Sequence, residues 1–444
     1  MNKKRKLFLI NSIILIINSI FYRILSIYFN GYITQKIGKE LLGEFNLIMS
    51  VYIFGITLGT FGINFSIIRL GSEDIAIGNT ENLKKITQKG LLISFITGLI
   101  TSCIFIIFSN YIIYYCLHNV VEKKVIYLIC IAIPFISMSS SITGYFVAVR
   151  RSYKSTIIQF FEQIIKILIT ILILNLFISK NPDLACFSLI LGDLLSEIFS
   201  FFCNYLLLKM DLSHYKTNYE IYYNNTYYTK KILNISFPIA ITSLIRSGLS
   251  TLKQILIPIS LEKINLNYKN SLSLYGEING MAMPIIMFPN IIFSSVSNLF
   301  VPEFASFNTQ KRHKSIKKIA ILLIVISIIL SIIISLFLFI FSKKLSTWIY
   351  NDKNVAKYIK ILAPLCIFVL LDSVIDNILK GLDAQNSVMI INIFDTFIDV
   401  ILIYTIVPKY GILGYLCSIY ISEIFNVIMS GFKLLKVINK NGRI

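Results

Sequence analysis

A chain of 444 residues that is 56% hydrophobic and only 14% charged, with a mean hydropathy of +0.76, does not have the composition of a soluble protein. A soluble domain would carry about 25% charged residues. The net charge of +20 then reflects topology and contact with anionic lipid, and nucleic acid is not an expected partner.

Apolar runs of roughly 20 residues match the thickness of a bilayer core and recur along the whole chain. Hydropathy and its polar breaks predict about twelve helices: 7–29, 45–68, 90–115, 125–147, 156–178, 184–208, 232–261, 272–301, 319–341, 358–379, 387–407 and 411–432. The opening MNKKRK flanks a retained first helix, because the run after it is too long for a leader and no small-residue cleavage site follows. With the N-terminus inside, more than half of the 42 Lys and Arg fall on the cytoplasmic side, so both termini are expected there. The polar, Tyr- and Asn-rich stretch 209–231 follows six helices. It predicts an N-terminal six-helix bundle over 1–208, a cytoplasmic linker over 209–231 and a C-terminal six-helix bundle over 232–444.

Seven cysteines lie singly in or beside apolar runs, and His118, His214 and His313 fall in separate loops. No metal-ligand cluster, nucleophile triad or Gly-rich phosphate loop emerges, so neither an enzyme nor a bound cofactor is expected.

The two halves repeat one another. Asn11 and Arg23 match Asn234 and Arg246, and GEFNLIMSVYIF matches GEINGMAMPIIMF in the second helix of each half. Gln159 and Glu162 match Asn392 and Asp395, and SEIF at 196–199 recurs at 422–425. Two bundles of like topology should be related by an axis along the membrane normal and enclose a central cavity. That is an all-α transporter architecture working by alternating access.

Charged residues inside the spans fall on faces. In helix one, Ser12, Ser19, Arg23, Ser26 and Asn30 share a narrow sector; in helix seven, Thr242, Ser243, Arg246, Ser250 and Lys253 do so. Arg23 sits in the outer third of its span and could snorkel, whereas Arg246 is near mid-span and reads as cavity-lining. Arg23, Arg246, Lys253, Asn30 and Ser250 are the candidate substrate ligands, for an anionic solute and above all a pyrophosphate, which guanidinium grips bidentately. Asp372 and Asp376, Asp395 and Asp399, Asp193 and Glu197, and Glu162 and Lys166 form pairs at i, i+4. They fit equally a coupling site for H+ or Na+ and a counter-charge for the arginines. Asp372, Asp376, Asp395 and Asp399 are the coupling candidates.

The stretch LYGEINGMAMPIIMFPNIIFSSVSNLFVPEFA (274–305) resembles the stage V sporulation protein B branch of the polysaccharide flippases. YRILSIYFNGYITQKIGKELLGEFNLI (22–48) and TLGTFGINFSIIRL (57–70) resemble the first- and second-helix motifs of the same superfamily, which also holds the lipid II and O-antigen flippases and the multidrug and toxin extrusion (MATE) transporters. The resemblance implies a multi-pass monomer of the bacterial cytoplasmic membrane. Its implied partners are membrane lipids and a lipid-linked anionic glycan, carried to the outer leaflet on undecaprenyl pyrophosphate. Arg23 matches the first-helix arginine of the lipid II flippase motif. Phe29 and Asn30 stand where that motif has an Arg-Asp pair, and twelve helices stand where fourteen are common. Both departures favour a lipid-linked glycan other than lipid II. The alternatives are a cation-coupled multidrug exporter, against which the cationic stripes argue, and a membrane polymerase or glycosyltransferase, against which the short outer loops argue.

Overall fold

The computed structural model describes residues 3–77, 81–177, 184–213, 225–264, 267–298 and 300–441. Residues 214–224 of the expected linker and the side chain of Ser12 lie outside the described residues. The described chain is helical and contains no strand. Eight helices are long and apolar enough to cross a membrane, or nine if Val355–Leu362 and Leu365–Gly381, bent by 49°, form one span.

The difference from twelve has local causes. Lys3–Thr60 is continuous by hydrogen bonding but contains Gly38 at φ 85°, ψ 175°, a conformation that only glycine adopts readily. The segment expected as a loop between the first two spans is therefore helix on both sides of one glycine. Gln385–Asn441 is broken in the same way at Gly411 (φ 61°, ψ −135°). The span expected over 272–301 is a chain of short pieces, Tyr268–Tyr275, a π-helical Gly276–Ala282, Met283–Ile286 and Phe288–Asn298. Dividing at the two glycines and counting the broken span restores about twelve crossings. The second span ends earlier than expected, at a turn through Phe61 (φ 46°) and Gly62 (φ 66°). A separate helix, Ile63–Ile77, then takes in the expected last residues of that span and the start of the loop after it.

Contacts divide the chain into two compact units, Met1–Asn18 with Leu47–Thr251, and Ser19–Asn46 with Leu252–Ile444. Residues 19–46 are thus grouped with the C-terminal residues, and 232–251 with the N-terminal ones.

In the first unit the helices meet through small residues and hydroxyls, as expected where apolar burial no longer discriminates inside from outside. Ser102 donates to the Cys130 carbonyl at 2.6 Å and Thr97 to the Gly59 carbonyl at 2.6 Å. Gly98 lies against the backbone of Pro134, and Gly144 against that of Asn64. An apolar cluster of Ile63, Ile67, Leu70, Ile142, Tyr145 and Phe146 fills the end of the unit. Beside it, Asp211 accepts from Tyr145 (2.9 Å), Arg151 (2.6 Å) and Lys154 (2.5 Å).

In the second unit, helix His313–Tyr350 buries Ser327, Ser331, Ser335, Ser342 and Ser346 along one helical stripe. Its Ile329, Ile333, Leu336 and Ile340 are exposed. This reverses the pattern of a water-soluble helix and is the pattern of a lipid-facing one. Ser327, Ser331 and Ser342 donate within their own helix, to Ile324 at 2.7 Å, Ile328 at 2.9 Å and Phe339 at 3.0 Å, while Ser346 donates to the Asp352 carbonyl beyond its end. Segment 19–46 packs closely on its neighbours: a side chain at Gly31 would collide with the Ile349 carbonyl, and one at Gly43 with the Leu272 carbonyl. Lys39 then bridges Glu277 (2.5 Å) and Asp352 (2.6 Å).

Burial raises the pKa of Asp352, but hydrogen bonds from Lys39 and the Asn354 N–H outweigh it and hold the carboxyl below its usual range. A depressed carboxylate stabilises above its unfolded pKa, and that contribution is lost as pH falls through the folded value. The melting temperature of detergent-solubilised protein should therefore drop on Asp352→Asn at neutral pH. The gap to wild type should close below the usual carboxylate range, as thermal melts across pH will read.

Candidate functional site

Most of the candidate residues lie in the second unit. Lys253 is ion-paired with Asp399, whose side chain is 2% exposed. Its charge is already neutralised, so it is not the free anion ligand expected from its place on the helix-seven stripe. Asp395 accepts from Ser422 at 2.6 Å. Asp372 accepts from Asn426 (3.3 Å), Asn426 donates also to Asn392 (3.1 Å), and Asn392 donates to Asp376 (3.3 Å). Asp372 also lies near Asp376 and Asp395, so the four coupling candidates form one polar layer in which Asp376 and Asp399 are buried and Asp372 and Asp395 half-buried. Glu423 lies within Coulomb range of Asp395, Lys253, Asp399 and Asp376, and so joins them electrostatically. Asp372 Oδ1 and Asp399 Oδ1 are buried with no hydrogen-bond partner among the described residues, leaving acceptor capacity in the layer unused.

Two asparagines tie this layer together. Only Asn392 stood out in the sequence, as the repeat match of Gln159, and Asn426 carries no signal in a chain so rich in asparagine. The first unit has its own layer: Lys166 is ion-paired with Asp193, and Glu162 and Glu197 lie within Coulomb range of both. Glu162 corresponds to Asp395 and Glu197 to Glu423, so the repeat seen in the sequence puts acids at matching places in both units.

Arg23, in the second unit, meets no carboxylate among the described residues. It is half-buried, donates Nη2 to the Pro284 carbonyl at 3.3 Å, and has a buried Nε without a partner. Tyr350 lies close to it and donates to the Met281 carbonyl at 2.9 Å. Arg23 thus rests against the broken span, where a π-helical turn runs into Pro284. Asn30 is half-buried, and its carbonyl accepts from Thr34 at 2.7 Å. Arg246 and Ser250 belong to the first unit. Arg246 is exposed and makes no ion pair among the described residues, and Ser250 is half-buried.

If the Lys253–Asp399 pair carries the layer, removing one partner should cost more than removing both. A double-mutant cycle of Lys253→Met and Asp399→Asn, read by chemical denaturation in detergent, should give a coupling energy of about 1–3 kcal/mol.

Residues 8–308 match the polysaccharide biosynthesis protein family, and residues 266–405 match the MatE family. The chain is 23% identical over 443 residues to stage V sporulation protein B of Bacillus subtilis (strain 168), covering 98% of this chain and 85% of that protein. Its fold is similar to an inward-facing multidrug resistance MATE family transporter of the MOP superfamily, with TM-score 0.73 and 12% identity over 96% of this chain and 98% of the other. It is likewise similar to the lipid II flippase MurJ in an inward closed conformation, with TM-score 0.71 and 15% identity over 97% and 90%. The two solved structures are a transporter and a flippase. The chain belongs to the polysaccharide biosynthesis protein family and, through it, to the MOP superfamily of multi-pass membrane flippases and transporters.

Proposed function

We propose that this protein flips an undecaprenyl-pyrophosphate-linked glycan across the bacterial cytoplasmic membrane by alternating access, with both termini cytoplasmic. The observation that carries the reading is a contrast among cations. Lys39, Lys166 and Lys253 each meet a carboxylate, whereas Arg23 is half-buried with one long contact and an idle Nε. A desolvated guanidinium left without a counter-ion is costly unless an anion arrives to complete it. Its planar fork suits a pyrophosphate better than a point-like ammonium would.

Arg23 and the equally unmatched Arg246 are the proposed phosphate ligands, with Asn30 and Ser250 as polar neighbours. Lys253 acts instead through its ion pair, as part of the coupling layer. Asp372, Asp376, Asp395 and Asp399 bind the driving cation, H+ or Na+. The unused oxygens of Asp372 and Asp399 support that role. A cation-coupled multidrug exporter is the second reading, favoured by the same acid-rich layer and by the similarity to a MATE transporter.

Arg246→Ala and Arg23→Ala should each cut translocation of a fluorescent lipid pyrophosphate in proteoliposomes by about 10-fold or more, since charge-assisted hydrogen bonds contribute about 1.5–3 kcal/mol each. The Lys variants should recover only part. Full activity in both Ala variants, with efflux of organic cations, would favour the exporter instead. Separately, a double Asp372→Asn/Asp376→Asn variant should make transport insensitive to imposed proton and sodium gradients; an unchanged gradient response would leave those residues purely structural.

A further inference from the structure

At one end of the second unit, the end of helix His313–Tyr350 and the following helix Val355–Leu362 form a cleft of about 550 Å³. Its lining carries five lysines, Lys343, Lys344, Lys353, Lys357 and Lys360, together with Thr347. No carboxylate lines it, and none of the five lysines is ion-paired among the described residues. The nearest acid, Asp352, is held by Lys39 at 2.6 Å. Like charges gathered this way repel one another unless an anion joins them.

The local backbone fixes the arrangement. Asn351 ends the long helix in the left-handed conformation (φ 54°), and Asp352 accepts from the Asn354 N–H at 2.8 Å. Lys357 and Lys360 share one face of the short helix at i, i+3, and Lys353 lies in the turn just before it. Three of the lysines also lie over rings: Lys357 is 4.6 Å from the Tyr358 centroid, Lys360 is 4.7 Å from that of Phe339 and Lys344 is 5.7 Å from that of Phe341.

Directly beside the lysines lies apolar surface. Ile340 is 68% exposed and Trp348 is 70% exposed. Lys344 and Trp348 share a helix face at i, i+4. A cationic cleft bordered by an exposed indole and aliphatic side chains matches an amphiphile with an anionic head and acyl chains. We infer that this cleft is a binding site for the phosphate headgroup of an anionic phospholipid, whose chains lie along the Ile340 and Trp348 surface. The site is separate from Arg23, Arg246 and the carboxylate layer, and it does not depend on what the protein transports.

The chain has one tryptophan, so its fluorescence reports from the edge of the cleft. The purified full-length protein is reconstituted in phosphatidylcholine vesicles containing chain-brominated phosphatidylglycerol or, in parallel, chain-brominated phosphatidylcholine. Trp348 should be quenched several-fold more strongly by the anionic lipid, and less so at high salt. K353Q/K357Q/K360Q should remove the preference, while K317Q/K318Q, far along the same long helix, should keep it. Equal quenching by the two lipids, an unchanged triple variant, or loss of preference in K317Q/K318Q would overturn the inference. So would abolition of the preference by inorganic phosphate at constant ionic strength, which would mark the cleft as a site for soluble phosphate.

Discussion

A charge inside a bilayer persists only where something of opposite sign meets it, because hydrocarbon offers neither water nor dipoles. That constraint sorts the intramembrane charges of this protein into two groups. Lys166 and Lys253 are half-buried against the buried Asp193 and Asp399, and each pair has further carboxylates nearby. Arg23 is set against backbone carbonyl and tyrosine instead, and Arg246 has no acidic neighbour within ion-pair distance among the described residues. The matched lysines build the units. Arg23 and Arg246 meet no carboxylate among the described residues, and the proposed anion-binding role rests on that contrast.

The helices that carry these charges assemble by a rule unlike that of soluble proteins. With Ile, Leu and Phe as comfortable in lipid as inside, the contacts between helices go to Ser, Thr and Gly. The serine stripe of His313–Tyr350 shows this most clearly, since its polar side chains are buried and its largest aliphatic ones exposed. Glycine serves two distinct purposes. At Gly31 and Gly43 it allows backbone to approach backbone, and at Gly38 and Gly411 it takes up φ values that break a long helix without ending it.

Much of this was legible in the sequence. The spans stood out because bilayer thickness imposes a length, and the acidic pairs because i, i+4 spacing puts them on one face. Three features were not legible, each because it depends on contacts distant in sequence. Residues 30–44 carry enough charge to read as a loop, yet Lys39 is satisfied by Glu277 and Asp352 and the segment stays helical on either side of Gly38. The broken span 268–298 reads as one span by hydropathy, which does not register a π-helical turn. Lys253 shares a stripe with Arg246 and so read as an equivalent ligand, but a carboxylate well over a hundred residues away claims it.

The repeat sharpens the distinction between the two units. Glu162 and Glu197 have counterparts in Asp395 and Glu423, so both layers inherit an acidic pair. The position matching Lys166, however, is Asp399. In the first unit the cation lies on the same helix as Glu162, four residues on. In the second unit that cation has become an acid, and the balancing charge comes from Lys253 on another helix. Asp372 and Asp376 then add two more carboxylates, so among the described residues the second layer sets five acids against one lysine. Such a layer cannot hold all its carboxylates ionised in a low-dielectric interior without protons or metal cations to offset them. The divergence of the two repeats at one position, lysine in one and aspartate in the other, therefore favours the second unit over the first as the place where a driving cation would act.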